Sequence, residues 1–94
     1  MTTRTFRFYS DPGHGWVRVE KAFLLQIIGD NWRDTFTPFS YERGDFVYLE
    51  EDADAARFVN WCRASGIEPV FKPASTGIAN RYSRIRNYSP LQPA

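Results

Sequence analysis

A lone cysteine, Cys62, rules out any disulfide within the chain. Small secreted domains usually carry several, so the cysteine count points to a reducing compartment. Histidine is equally scarce: His14 is the only one, and no Cys/His pairs stand at zinc spacing. The longest strongly apolar run, residues 22–28, is interrupted by Gln26. It falls far short of the roughly 20 residues that cross a bilayer. The first five residues hold no apolar stretch of the signal-peptide kind. These absences predict a cytoplasmic protein with no membrane partner. A phosphate-cradling Gly-rich loop ahead of a helix and a Ser nucleophile elbow are missing too. No residue set argues for an enzyme, and no cofactor or metal is implied.

What is abundant is aromatic: eight Phe, five Tyr and three Trp, 17% of the chain. Burying one such side chain contributes on the order of 1.5–3 kcal/mol. A chain of 94 residues needs large side chains to offset the ordering of its backbone. The aromatics are therefore first of all a core. The net charge of +1 hides an asymmetry. Residues 1–71 hold eight basic and eleven acidic side chains, whereas residues 72–94 hold Lys72, Arg81, Arg84 and Arg86 and no acid. An acidic body carries a basic tail.

Residues 4–9 alternate, with Phe6 and Phe8 on one face and Arg7 and Tyr9 on the other, which predicts a strand. The turn residues at 11–15 lead into a second alternating run from Trp16 to Val19, so a β-hairpin follows. From Glu20 to Ile28 the period becomes helical, through Phe23, Leu24, Ile27 and Ile28, and Gly29 is placed to end the helix. Residues 30–38 are irregular, with Trp32 and Phe36 expected to fold back onto the body. Residues 39–41 and 46–50 predict a second hairpin, with Val47 and Leu49 facing one way and Phe46 and Tyr48 the other. A second helix begins at Asp52, its expected N-cap, shows Ala55, Phe58, Val59 and Cys62 as an apolar stripe, and stops at Gly66. Residues 67–72 read as a last strand, which Pro69 assigns to a sheet edge.

The order β-β-α-β-β-α-β predicts an α+β fold, a small antiparallel sheet with two helices on one face. Residues 1–72 form the compact domain. Residues 73–94 are expected to be an extended or partly disordered tail. Tyr9, Phe46 and Tyr48 could pair across the two-fold axis of a homodimer, bind a partner, or lie under residues 30–38.

Each candidate site has a structural reading beside the chemical one. His14 sits in a turn without a nucleophile or orienting acid nearby. Cys62 lies on an apolar helix stripe, where thiols are inert. Glu50, Glu51, Asp52 and Asp54 crowd one helix start: they suit the helix dipole, or form an acidic contact patch for a basic partner, and the EF-hand pattern of a calcium site is absent. Arg43-Gly44-Asp45 matches an adhesion tripeptide but reads as a hairpin turn. In the tail, Arg81, Arg84 and Arg86 interleave with Tyr82 and Tyr88, which is either a solvated segment, a docking segment, or a set of phosphate contacts with base stacking. Three neutralised phosphates on a duplex would give a salt slope of about −2.7, a roughly 40-fold loss of affinity from 50 to 200 mM.

Two stretches occur together: Ser10-Asp11-Pro12-Gly13-His14-Gly15-Trp16, and Tyr41-Glu42-Arg43-Gly44-Asp45-Phe46-Val47-Tyr48-Leu49-Glu50-Glu51-Asp52, continuing into Ala53-Asp54-Ala55. Over about residues 6–72 the chain resembles small proteins encoded by bacteriophages and prophages. The resemblance implies a non-enzymatic interaction protein that binds a host protein or ribonucleoprotein complex. Anti-CRISPR inhibitors of host defence act in this way, by occlusion. On that reading Glu50, Glu51, Asp52 and Asp54 would imitate phosphate. The alternative is a nucleic-acid-binding accessory protein that uses Arg81, Tyr82, Arg84, Arg86 and Tyr88.

Overall fold

The alternating N-terminal run becomes strand β1 (Thr2–Ser10), which turns through residues 11–14 into β2 (Gly15–Glu20). Helix α1 (Lys21–Ile28) follows at once and ends where the Gly29 N–H bonds to the Leu25 carbonyl oxygen at 3.0 Å. After a short 3-10 turn (Trp32–Thr35) come β3 (Tyr41–Arg43) and β4 (Phe46–Glu50). Helix α2 (Ala53–Ala64) crosses to β5 (Ile67–Ala74), and a second 3-10 turn (Arg84–Asn87) leads to the short β6 (Ser89–Pro90). This computed structural model describes residues 2–74 and 84–93.

The fold is α+β, as expected, and both helices cover the same face of one six-stranded sheet ordered β5-β1-β2-β4-β3-β6. The sheet is mixed rather than wholly antiparallel. β2 opposes β1 and β4 opposes β2, so β4 runs with β1. Helix α2 then returns the chain in the same sense, and β5 lies parallel to β1. A parallel pair needs such a crossover, and α2 supplies it. β5 is an edge strand, which accommodates both Pro69 and Pro73 because a residue without an N–H interrupts a ladder only on its own side.

Phe6, Val17, Val19, Val47 and Leu49 point from the sheet toward Phe23 and Leu24 of α1 and Ala55, Phe58 and Cys62 of α2. Trp32 and Phe36 fold back onto the same core, as the sequence predicts. The opposite face gathers Trp16 and Tyr48 with Tyr9, Tyr41 and Phe46.

Five local expectations are corrected. The second hairpin is shifted: β3 begins at Tyr41, and Phe39 stands 76% exposed because Asp54 holds the loop around it through Thr37 and Ser40. Asp52 makes no capping bond; the Glu50 carboxylate instead accepts the N–H groups of Asp52, Ala53 and Asp54 at 3.2, 2.8 and 3.3 Å. The boundary placed at residue 72 falls inside β5. Residues 84–93 are not an extended tail, for Ile85 and Leu91 are 3% and 2% exposed and pack against the second and first faces of the sheet. Ile85 and Tyr88, not residues 30–38, cover the aromatics of the second face.

Candidate anion-binding cleft

The second face is closed on one side by the returning segment, and each of the two paired sequence motifs holds that segment in place. In the first hairpin loop, Asp11 accepts the N–H groups of Gly13 and His14 at 3.0 Å each. The same carboxylate takes a two-pronged bond from Arg86, at 2.7 Å from Nε and 2.9 Å from Nη2. Its side chain has no exposed surface. A charge-assisted bidentate pair in that setting fixes geometry as well as energy. The glycines leave the room: a Cβ at Gly13 would stand 2.8 Å from Arg86 Nη2, and one at Gly15 would press on the Phe8 ring and lie 2.7 Å from Glu51 Oε2.

The second motif supplies another anchor. Glu42 accepts Lys21 Nζ at 2.8 Å, Arg33 Nη1 and Nη2 at 2.7 and 3.1 Å, and the Gln92 N–H at 3.2 Å. The Arg33 hydrogen bond, helped by Lys21 and the Gln92 N–H, holds the Glu42 carboxyl down at about 2. The Leu91 N–H meets the Ser40 carbonyl at 2.9 Å, and Tyr88 lies on Tyr48 with ring centroids 5.1 Å apart.

Between β3, β6 and the second 3-10 turn lies an open cleft of about 1060 Å³, lined by Arg33, Arg43, Arg84, Asn87, Tyr88 and Gln92 among others. Its lining carries three arginines and one carboxylate, Glu42, a net of +2. Arg33 is committed to Glu42, but Arg43 and Arg84 are exposed. Arg84 makes no ion pair among the described residues. Arg43 sits over the Tyr88 ring, 5.0 Å from its centroid, and donates from Nη1 to the Tyr88 hydroxyl at 3.3 Å. An arginine so held offers a planar cation, against which an anion can pair and an unpaired base can stack.

The other sequence candidates separate. Asp54 is fully buried, and its carboxylate accepts the Thr37 N–H and hydroxyl, the Ser40 hydroxyl and Arg57 Nη1. That cluster is what fixes the 36–40 loop and turns Phe39 outward. Glu50 serves the helix start, so of the four acids only Glu51 and Asp52 are exposed. Arg86 and Tyr88 dock the returning segment, Arg84 faces the cleft, and Arg81 and Tyr82 lie outside the described residues. His14 is exposed at the hairpin tip. Cys62 is fully buried, and burial pushes its thiol up to about 11. Arg43-Gly44-Asp45 is a hairpin turn. Among the described residues no three His, Cys, Asp or Glu side chains gather as metal ligands, and no helix is long and apolar enough to cross a membrane.

Arg33, Arg43 and Glu42 carried no sequence signal for this site. Arg43 was visible only as part of a turn tripeptide, and its neighbourhood forms only when residues 84–93 return. No protein-family model, curated protein or solved structure matches the chain.

Proposed function

We propose that this is a small non-enzymatic binding protein of the phage type, and that its ligand is a single strand of nucleic acid held in the Arg43–Arg84 cleft. The observation that carries the reading is the pair of exposed arginines beside Tyr88, with the Arg43 guanidinium 5.0 Å from the ring centroid. Phosphates contribute affinity without sequence, and planar groups accept any base. The site suits an unpaired strand better than a duplex, because a duplex hides its bases and brings more phosphate toward an acidic body.

Fluorescence anisotropy with a labelled oligothymidylate tests it. Binding should be present in low salt and should fall by about 25-fold at 0.1 M salt in the Arg43→Gln/Arg84→Gln variant, since each phosphate neutralised on a single strand adds about 0.7 to the salt slope. Equal binding by that variant sinks the reading.

A second reading keeps the protein as an inhibitor of a host defence complex, of the anti-CRISPR kind, and Phe39 favours it. A ring 76% exposed, beside a hollow lined by His14, Trp16, Glu50 and Asp52, is the kind of aromatic anchor that protein interfaces use. A nuclease-treated pull-down from bacterial lysate, run with wild type and Phe39→Ala side by side, decides it. A complex retained unchanged by Phe39→Ala counts against this surface.

A further inference from the structure

Arg7 of β1 stands directly opposite Arg18 of β2, and on its other side directly opposite Lys72 of β5. Directly paired residues project from the same face, so three cations lie side by side across three neighbouring strands. Like charges placed opposite one another in a sheet are destabilising. Among the described residues none of the three forms an ion pair. The hollow of about 230 Å³ that they line, together with Arg4, holds a single carboxylate, Glu20. Arg18 lies over the Phe46 ring at 4.5 Å and within 6.0 Å of the Tyr9 centroid. This repeats the Arg43–Tyr88 arrangement on the same face of the sheet.

The two arrangements are connected. Phe46 on β4 is the register partner of Arg43 on β3, so Arg18, Phe46, Arg43 and Tyr88 continue the row toward the cleft. With strands about 4.8 Å apart, the four steps from β5 to β3 cover roughly 19 Å, enough for a few nucleotides. The helices occupy the other face, and among the described residues Arg7 and Lys72 are exposed on this one and Arg18 is half-buried.

We propose that Lys72, Arg7 and Arg18 form a phosphate-binding row, along which one nucleic-acid strand crosses this face of the sheet to reach the Arg43–Arg84 cleft. The inference rests on the proposed function and extends the path of the strand beyond the cleft. A polyanion on the row relieves the mutual repulsion of the three cations. Binding and folding stability are therefore opposed at these positions.

The test uses the full chain and a fluorescein-labelled oligothymidylate of about 20 nucleotides, longer than the sites of most single-domain strand binders. Three proteins are compared over a salt series: wild type, Arg7→Gln/Arg18→Gln, and Arg43→Gln/Arg84→Gln. With two fewer phosphates neutralised, the row variant should bind about 25-fold more weakly at 0.1 M salt, with a log–log slope reduced by about 1.4. Its thermal midpoint in low salt should be unchanged or higher, because repulsion has been removed; a variant that merely failed to fold would melt earlier. Arg7→Lys/Arg18→Lys should recover most of the slope. Wild-type affinity and slope in the row variant overturn the row while leaving the cleft intact. Loss of binding in the cleft variant alone does the same. No binding by wild type in low salt overturns both proposals. Heparin competing as well as its charge density allows, with no preference for the oligonucleotide, overturns the assignment to nucleic acid.

Discussion

Beneath the helices the sheet carries Phe6, Val17, Val19, Val47 and Leu49, none more than 6% exposed. Its other side carries Arg7, Arg18, Trp16, Phe46 and Tyr48, and among the described residues it is Ile85 and Tyr88 that cover part of it. The first set is almost wholly aliphatic or Phe and can be sealed completely. The second, Phe46 apart, is built from side chains with an apolar body and a polar or charged end, which tolerate a half-wet surface. The difference separates what holds the domain together from what is left available to a ligand.

The sharpest way to break the comparison is to open the sealed face. Phe58 has no exposed surface and meets Phe6 edge-on at 4.9 Å and Phe23 at 6.1 Å. Phe58→Ala removes a ring from a filled interior and should cost about 3–5 kcal/mol in urea unfolding, much of the stability of a domain this size. On the other face only Trp16→Ala, which removes a side chain 2% exposed, should approach that.

Next in size is the anchor of the returning segment. Arg86→Ala deprives the buried Asp11 carboxylate of a two-pronged partner and should cost about 1–3 kcal/mol. It should also weaken oligonucleotide binding, because Arg84 and Tyr88 are positioned by the segment that Arg86 ties down. Phe58→Ala, measured where it is still folded, should leave binding alone. Equal effects of the two variants on binding would erase the distinction between the faces.

A third test uses acid. Glu42 has its folded-state value lowered from 4.5 to about 2, first by the Arg33 hydrogen bond. A carboxyl depressed on folding contributes stability that is complete above its unfolded value and is lost as pH falls toward the folded one. The wild type should therefore lose about 1–2 kcal/mol between about pH 4.5 and 2 through this group, after allowance for screening at a partly open cleft. Glu42→Gln should show a flatter acid limb over that window, read by denaturant midpoints at successive pH values.

How far the sequence reached follows the same division. Phe6/Phe8, Val17/Val19 and Val47/Leu49 state their face by simple alternation, and Gly29 and Gly66 mark the helix ends, so the sealed side was legible. The direction of β5 was not, since it depends on where α2 lands. Glu50 displaced Asp52 as the cap because a longer carboxylate two residues earlier reaches three N–H groups at once. Asp54 looked like one more surface acid, and only the folded loop brings Thr37 and Ser40 to it. The returning segment was hidden by composition: Arg, Asn, Ser and Pro obscured two apolar residues, Ile85 and Leu91, that hold it down. The cation row needed a strand register, which places Lys72 beside Arg7 although 65 positions separate them in the sequence.

The smallest effect concerns the ring under Arg43. Tyr88→Phe keeps the tilted ring contact with Tyr48 at 5.1 Å and the face presented to Arg43 at 5.0 Å, and loses only an exposed bond of 3.3 Å. Its stability and oligonucleotide affinity should both stay within about 0.5 kcal/mol of wild type. Tyr88→Leu keeps an apolar side chain there but removes the π face that orients the guanidinium, an interaction on the order of 0.5–1 kcal/mol at an exposed site. Affinity should then drop about two- to five-fold while stability changes little more than in Tyr88→Phe. If the two variants bind alike, the ring is only a filler between β4 and the returning segment, and Arg43 acts as an unguided charge. If they differ as expected, the Tyr88 ring aims the Arg43 guanidinium into the cleft, and the charge alone does not account for the affinity.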